Sequence, residues 1–168
     1  MEKVMKRGIL TALLLGSGLA FADVNANDVL NNLHQANLAE IKMGQLAQTK
    51  GVSEDVKSYG KTLVSDHEAS DKKVVDLSAK QGVTLKAEKA GFMERMNMRN
   101  LRSKTGAEFD KEFAKGMVDD HKKNIEDLQS AQKAALPQEV KELIGDTLPT
   151  LQKHLAMAQK IAVYSEVK

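Results

Sequence analysis

Ser53-Glu-Asp-Val-Lys-Ser-Tyr-Gly-Lys-Thr-Leu-Val-Ser-Asp-His-Glu-Ala-Ser-Asp-Lys-Lys-Val-Val-Asp-Leu-Ser-Ala-Lys80 is the stretch whose spacing decides the fold. Val56, Tyr59, Leu63, His67, Ser70, Val74 and Leu77 recur every three or four residues. That period lines one face of an α-helix and fits no strand. Ser53 is a good N-cap, and Glu54 and Asp55 put negative charge in the first turn. Gln81-Gly82 closes the segment. A histidine, His67, stands in the middle of a face that is otherwise mostly apolar.

The same pattern extends to both sides. An upstream helix is expected from Asn27 to Thr49, capped by Asn27 or Asp28, with the inward stripe Leu30, Leu33, Asn37, Glu40, Gly44 and Ala47. Lys50-Gly51 ends it, with the glycine suited to a left-handed C-cap. Downstream, Glu108 to Ala134 carries the stripe Phe109, Phe113, Met117, His121, Asn124, Leu128 and Ala131. Leu136-Pro137 opens a fourth helix, with Pro137 in the first turn and the stripe Val140, Ile144, Thr147, Leu151, His154, Ala158 and Ile161. Pro149 faces away from that stripe and predicts a kink, not a break. Lys86 to Leu101 reads as a shorter helix with Phe92, Met93, Met96 and Leu101 on its apolar side. The expected architecture is all-α: a four-helix bundle with an extra short helix in the long connection, residues 82–107, between helices two and three. A weak internal echo, Leu63-Val-Ser-Asp-His67 against Met117-Val-Asp-Asp-His121, suggests two related helical hairpins.

The beginning of the chain reads differently. Lys3, Lys6 and Arg7 precede the nearly uncharged run Gly8 to Ala22, and Ala20-Phe-Ala22 fits a signal-peptidase site. Residues 1–22 are therefore expected to be a signal peptide cleaved after Ala22, leaving 23–168 as one periplasmic or secreted domain. The alternative is an uncleaved anchor, but the run is short of the about 20 apolar residues a span needs. No second apolar run follows, so no transmembrane span is expected in the mature chain. Three of the 25 Lys and Arg and one of the 23 Asp and Glu lie in 1–22, so the remainder is balanced at 22 of each. A balanced charge argues against nucleic acid as a partner. The chain has no cysteine, which excludes disulfides, thiolate catalysis and cysteine metal sites.

Four polar residues carry the candidate chemistry. His67, His121 and His154 occupy inward stripes of three helices, and Glu40 occupies that of the remaining one. Each sits near mid-helix with apolar neighbours a turn away. Burying four ionisable groups is costly unless they are paired, and one cation relieves all of them. Imidazole with carboxylate suits one Zn, Fe, Mn or Cu ion better than Ca or Mg. One carboxylate with three histidines points to a mononuclear site, since di-iron bundles use four carboxylates with two histidines. The alternative is a hydrogen-bonded core network with no metal. Asp66 and Asp120 directly precede two of the histidines and point about 100° away, so they are expected to bridge to lysines or to orient a histidine of another helix. Asp71, one turn after His67, could line the same cavity. His34 reads as structural or surface. Met93, Met96, Met98, Met117 and Met157 read as adaptable packing. No nucleophilic triad and no phosphate-binding glycine loop is visible.

Glu40-Ile-Lys-Met-Gly44-Gln-Leu-Ala47, Val56-Lys-Ser-Tyr-Gly60, Leu63-Val-Ser-Asp-His67, Phe109-Asp110, Met117-Val-Asp-Asp-His121 and Thr147-Leu-Pro-Thr-Leu-Gln-Lys-His154-Leu155 together resemble the domain-of-unknown-function 4142 family. The resemblance spans roughly residues 26–162. It implies an exported bacterial protein with a ferritin-like bundle, and it places Glu and His at the positions of Glu40, His67, His121 and His154. It names no activity, because folds of this kind host many. Three functions stay open on the sequence: a metal-binding protein in metal handling or envelope stress, a metal-free protein that binds an envelope partner, and a small-ligand carrier. The last predicts an apolar pocket between helices with histidines at its wall.

Overall fold

The computed structural model describes residues 24–87 and 92–166, with side chains described outside 92–97 and 164–166. Its described elements are five helices, α1 (Ala26–Lys50), α2 (Glu54–Lys80), α3 (Phe92–Ser103), α4 (Gly106–Ala131) and α5 (Gln138–Glu166). α1 pairs along its length with α2, and α4 with α5; α2 then packs on α5. The expected bundle is present, and the short α3 lies in the long connection. The expected signal segment lies outside the described residues, as do the side chains of Phe92, Met93 and Met96. No described helix is long and apolar enough to cross a membrane.

The ends of the helices correct the sequence reading in instructive ways. α1 is capped by Asn25, upstream of the expected Asn27 or Asp28: its side chain accepts the Asp28 N–H at 2.9 Å. Asp28 sits at the third helical position and takes the Asn25 amide at 2.6 Å. Gly51 has φ −58, so it makes no left-handed cap. Its glycine is required for room, because a Cβ there would lie 2.6 Å from the Ala47 carbonyl and 2.7 Å from Val56. Gly82 and Gly106, at φ 67 and 61, are the positions that need glycine's conformational freedom. α4 stops at Ala131, three residues early, in a turn. Pro137 stands just before α5 and its carbonyl accepts from Val140 and Lys141. α5 continues through the exposed Pro149 without a break.

Two devices fix the α1–α2 hairpin. At its crossing, a Cβ on Gly44 or Gly60 would sit 2.6 Å from the other's carbonyl oxygen, so the two backbones touch. At its turn, the Asp110 carboxylate reaches from α4 and accepts the N–H groups of Val52 at 3.0 Å and Ser53 at 2.8 Å. Asp110 is itself buried.

The interior divides along the bundle axis. One end is aromatic: Tyr59, Leu63, Phe109, Phe113, Met117 and Ile161 form one apolar cluster. The other end is aliphatic: Leu30, Leu33, Val74, Leu128, Ile144 and Leu151 form a second. Asn37, Glu40, His67, His121 and His154 are the buried polar residues associated with neither cluster on the stripes that connect them. The stripes err at a few positions. Ser70, Leu77, Asn124 and Thr147 are only half-buried, and Ile125 takes the core place next to Asn124.

Candidate metal centre

His67 comes from α2, His121 from α4 and His154 from α5, each near the middle of its helix. His121 and His154 are wholly buried and His67 is nearly so. Ring centroids lie 5.2 Å apart for His67 and His154, 5.4 Å for His121 and His154, and 6.1 Å for His67 and His121. One nitrogen from each ring lies within 4.8 Å of the others. Nitrogens bound to one ion at about 2.0 Å stand about 3.4 Å apart, so the rings must close in by roughly an ångström.

Each ring is held by a different acceptor. His67 Nδ1 is 2.9 Å from Asn37 Oδ1, His121 Nδ1 is 2.9 Å from the Met117 carbonyl, and His154 Nε2 is 2.9 Å from Asp66 Oδ2. The carbonyl, amide and carboxylate oxygens can only accept, so they place the proton on these nitrogens. The lone pairs then belong to His67 Nε2, His121 Nε2 and His154 Nδ1. Those three atoms are buried and have no hydrogen-bond partner among the described residues. Three imidazoles, each with one free lone pair and its other nitrogen's N–H fixed by an acceptor, are the arrangement in which histidines ligate metals.

Electrostatics keeps the rings neutral. Burial pushes the His67 imidazole down to about 3, helped by the charges of His154 and His121. Burial likewise takes His121 to about 4 against the opposing bond from Met117. His154 is also lowered by burial, although Asp66 opposes it. Burial pushes the Asp66 carboxyl up, but its hydrogen bond to His154 and the nearby Lys153 bring it below the ordinary range. Neutral imidazole is the ligand form.

Glu40 lies beside this triad. Its Oε1 is 3.7 Å from His121 Nδ1, too long for a hydrogen bond, and its Oε2 is buried without a partner among the described residues. Burial, then the charge of Asp120, pushes its carboxyl up to about 8. A neutral acid at pH 7 becomes an available carboxylate only when a cation arrives.

The remaining sequence candidates separate. Asp66 does orient a histidine of another helix, and its Oδ2 also lies 3.5 Å from Lys153 Nζ. Asp120 acts on the cluster through its charge on Glu40. Asp71 does not line the cavity, contrary to the sequence reading: its Oδ1 is 2.7 Å from His34 Nδ1, and the two form a half-buried pair between α1 and α2. A helical turn beyond His67 places Asp71 beside α1 and away from the centre. Sequence reasoning missed the orienting role of Asn37, although a short polar residue one turn before Glu40 on an apolar stripe was a signal. It also passed over Tyr59, whose buried hydroxyl has no partner among the described residues and whose ring centroid is 6.2 Å from that of His154. Burial, with Glu40 and Asp120, raises the Tyr59 phenol.

Two openings reach the centre. A groove of about 500 Å³ runs beside α1 and α4, with Leu33, Ala36, Leu128 and Ala131 on its walls and Asn37 and His67 at its inner end. A smaller, more polar cleft of about 320 Å³ lies between α2 and α5 and reaches Asp66 and His67.

The model of the family described as Domain of unknown function (DUF4142) matches residues 18–161. The chain belongs to this family. Among solved structures, CopM in the Cu(II)-bound form is similar at a TM-score of 0.72 and 14% identity, covering 84% of this chain and 98% of that one. At that identity the likeness speaks for the helical-bundle fold of this DUF4142 member. No curated protein matches the chain at a significant level.

Proposed function

We propose that this DUF4142 chain is an exported metal-handling protein. Its residues 1–22 are removed, and 23–168 bind one transition-metal ion between His67, His121 and His154. Glu40 supplies the carboxylate that balances the ion's charge and completes the donor set. The observation that carries this reading is the three buried ring nitrogens without a partner among the described residues, each on a ring whose other N–H is held by an acceptor. A core network without a metal would have joined those nitrogens to donors, because a buried polar atom left unpaired costs about 1–3 kcal/mol.

Copper is the first ion to test. Imidazole suits Cu, Zn, Fe and Ni, and copper binds most tightly of the divalent series. The fold is also that of a protein captured with Cu(II). A buried site with a full set of protein donors favours holding and transfer over turnover. The test is elemental analysis of the untagged mature chain beside a His67→Ala, His121→Ala double variant. About one ion per chain is expected, lost in the double variant. No ion after reloading with Cu, Zn, Fe and Mn sinks the reading.

A second reading rests on the groove. An apolar cavity of about 500 Å³ with His67 at its wall is what a small-ligand carrier needs. The Asn37 amide nitrogen, which has no partner among the described residues, could donate to a neutral apolar ligand's single oxygen. Calorimetric titration with 2-naphthol checks it: binding that is abolished in Ala36→Leu supports the carrier, and no heat at millimolar ligand removes it.

A further inference from the structure

A wholly buried centre needs a way in. His121 and His154 are 0% exposed, so an ion cannot reach them from bulk water without crossing a wall of the bundle. Two openings lead to His67, and their chemistry differs. The α1–α4 groove is walled by Leu33, Ala36, Leu128 and Leu151 beside several polar groups, and its two carboxylates, Asp28 and Asp127, bond to Asn25 and Lys123 and not to a ring of the triad. The α2–α5 cleft is lined by two carboxylates and three hydroxyls, with Lys73 and Lys153 beside the carboxylates, and one of those carboxylates reaches the triad. Asp146 stands at its rim, Thr150 and Thr147 on its α5 wall, Ser70 on its α2 wall and Asp66 beside His67. The Ser70 hydroxyl is buried and has no partner among the described residues.

We propose that the ion enters and leaves through the α2–α5 cleft, with Asp66 as the carboxylate that receives it and passes it to His67 and His154. This rests on the triad being the ion site. Asp66 fits the role by position. It is 31% exposed on the cleft, where the exposed Lys153 ammonium lies 3.5 Å from its Oδ2 and must yield to a cation, and the same Oδ2 already touches a ring of the wholly buried His154. One carboxylate therefore spans from solvent to the centre. The rim is crossed by the Lys73–Asp146 pair at 3.2 Å, whose side chains are 60% and 66% exposed. A pair that exposed is weak and screened by salt, so it yields to an incoming cation. Release of Asp146 from Lys73 adds a carboxylate at the mouth as the cation arrives. The route predicts a separation of rate from affinity, because the cleft residues Ser70, Asp146 and Thr150 belong neither to the triad nor to the groups that hold its rings.

The experiment is stopped-flow loading of the metal-free mature chain with Cu(II), read beside the equilibrium stoichiometry. Thr150→Leu narrows the cleft, Ala36→Leu narrows the groove, and neither residue is a ligand. Thr150→Leu is expected to slow loading and chelator-driven release together, by about tenfold, with one ion still bound at equilibrium and affinity unchanged. Asp66→Asn is expected to slow loading further, and Ala36→Leu to leave the rate as it is. The opposite pattern, slow loading in Ala36→Leu and wild-type rates in Thr150→Leu, overturns the route while the ion site stands. A wild type that takes up no ion at all removes the site, and this route with it.

Discussion

The two ends of the bundle are built to different standards, and the centre lies where they meet. At the aromatic end, Phe109 and Phe113 stack at 5.9 Å, Tyr59 is wholly buried, and the Gly44–Gly60 crossing lets two backbones touch. At the aliphatic end, α1 and α4 stand apart around a groove of about 500 Å³. Close packing at one end holds α1 and α2 in register and so aims Glu40 and His67. Looser packing towards the other also opens the α2–α5 cleft, which reaches Asp66 and His67. The difference teaches that rigidity and access are assigned to opposite ends of one set of helices.

The largest effect should come from attacking the rigid end. Phe113→Ala removes a wholly buried ring among Tyr59, Phe109 and their neighbours, and is expected to cost about 3–5 kcal/mol in urea unfolding. Leu128→Ala, on the groove wall, should cost about 2 kcal/mol, the low end for leucine, because its site already opens to solvent. Equal losses at the two positions would break the comparison.

Next in size is the ion itself. Cu(II) at a hundred times its dissociation constant should add about 2.7 kcal/mol to the folded state, read as a higher melting temperature. His121→Ala should abolish that increment. A wild type whose melting temperature ignores copper would mean that the polar layer is finished without it.

The metal-free chain should also respond to pH, and the sign follows from two opposite burials. Glu40 rises from 4.5 to about 8 on folding, so the folded state holds the extra proton between those values and loses stability as pH climbs through them. His67 and His121 fall from 6.5 to about 3 and about 4, so there the unfolded state binds more protons and stability grows with pH up to about 6.5. Between 4.5 and 6.5 the two histidines outweigh one carboxyl; above 6.5 only Glu40 acts. Stability in chelator should therefore peak near pH 6–6.5 and fall by roughly 1–2 kcal/mol towards pH 8. Glu40→Gln should flatten the alkaline side. An alkaline limb that persists in Glu40→Gln would place the titrating group elsewhere.

Much of this was legible in the sequence, for reasons the residues show. Period-3.6 stripes set the four long helices, and polar interruptions at Glu40, His67, His121 and His154 marked one layer because all four fall at mid-helix. Asp66 could be named as a positioning group because its offset from His67 turns it towards another helix. What escaped depended on tertiary distance. Gly51 read as a C-cap, but its reason is the nearness of Val56. Asp71 read as cavity-lining, but His34 stands across the hairpin to take it. Asp110 stood in a motif of the family resemblance, Phe109-Asp110, but its task could not be read there, since it holds two N–H groups nearly 60 residues upstream.

The smallest expected effect is the sharpest test of the two-ended design. Ala36 is half-buried on α1 and faces the groove. Leucine is as good a helix former as the site needs, so Ala36→Leu changes packing with little change in propensity. Three added carbons, half removed from water, should stabilise the fold by about 1 kcal/mol. Even a one-carbon enlargement at the aromatic end has no room: Gly60→Ala puts its Cβ 2.6 Å from the Gly44 carbonyl and 2.8 Å from Ala47, and should cost about 1–3 kcal/mol. One added side chain thus changes sign with its place along the bundle. If Ala36→Leu also destabilises, the space beside α1 is structured around something that must stay there, and the looseness of that end is itself part of the function.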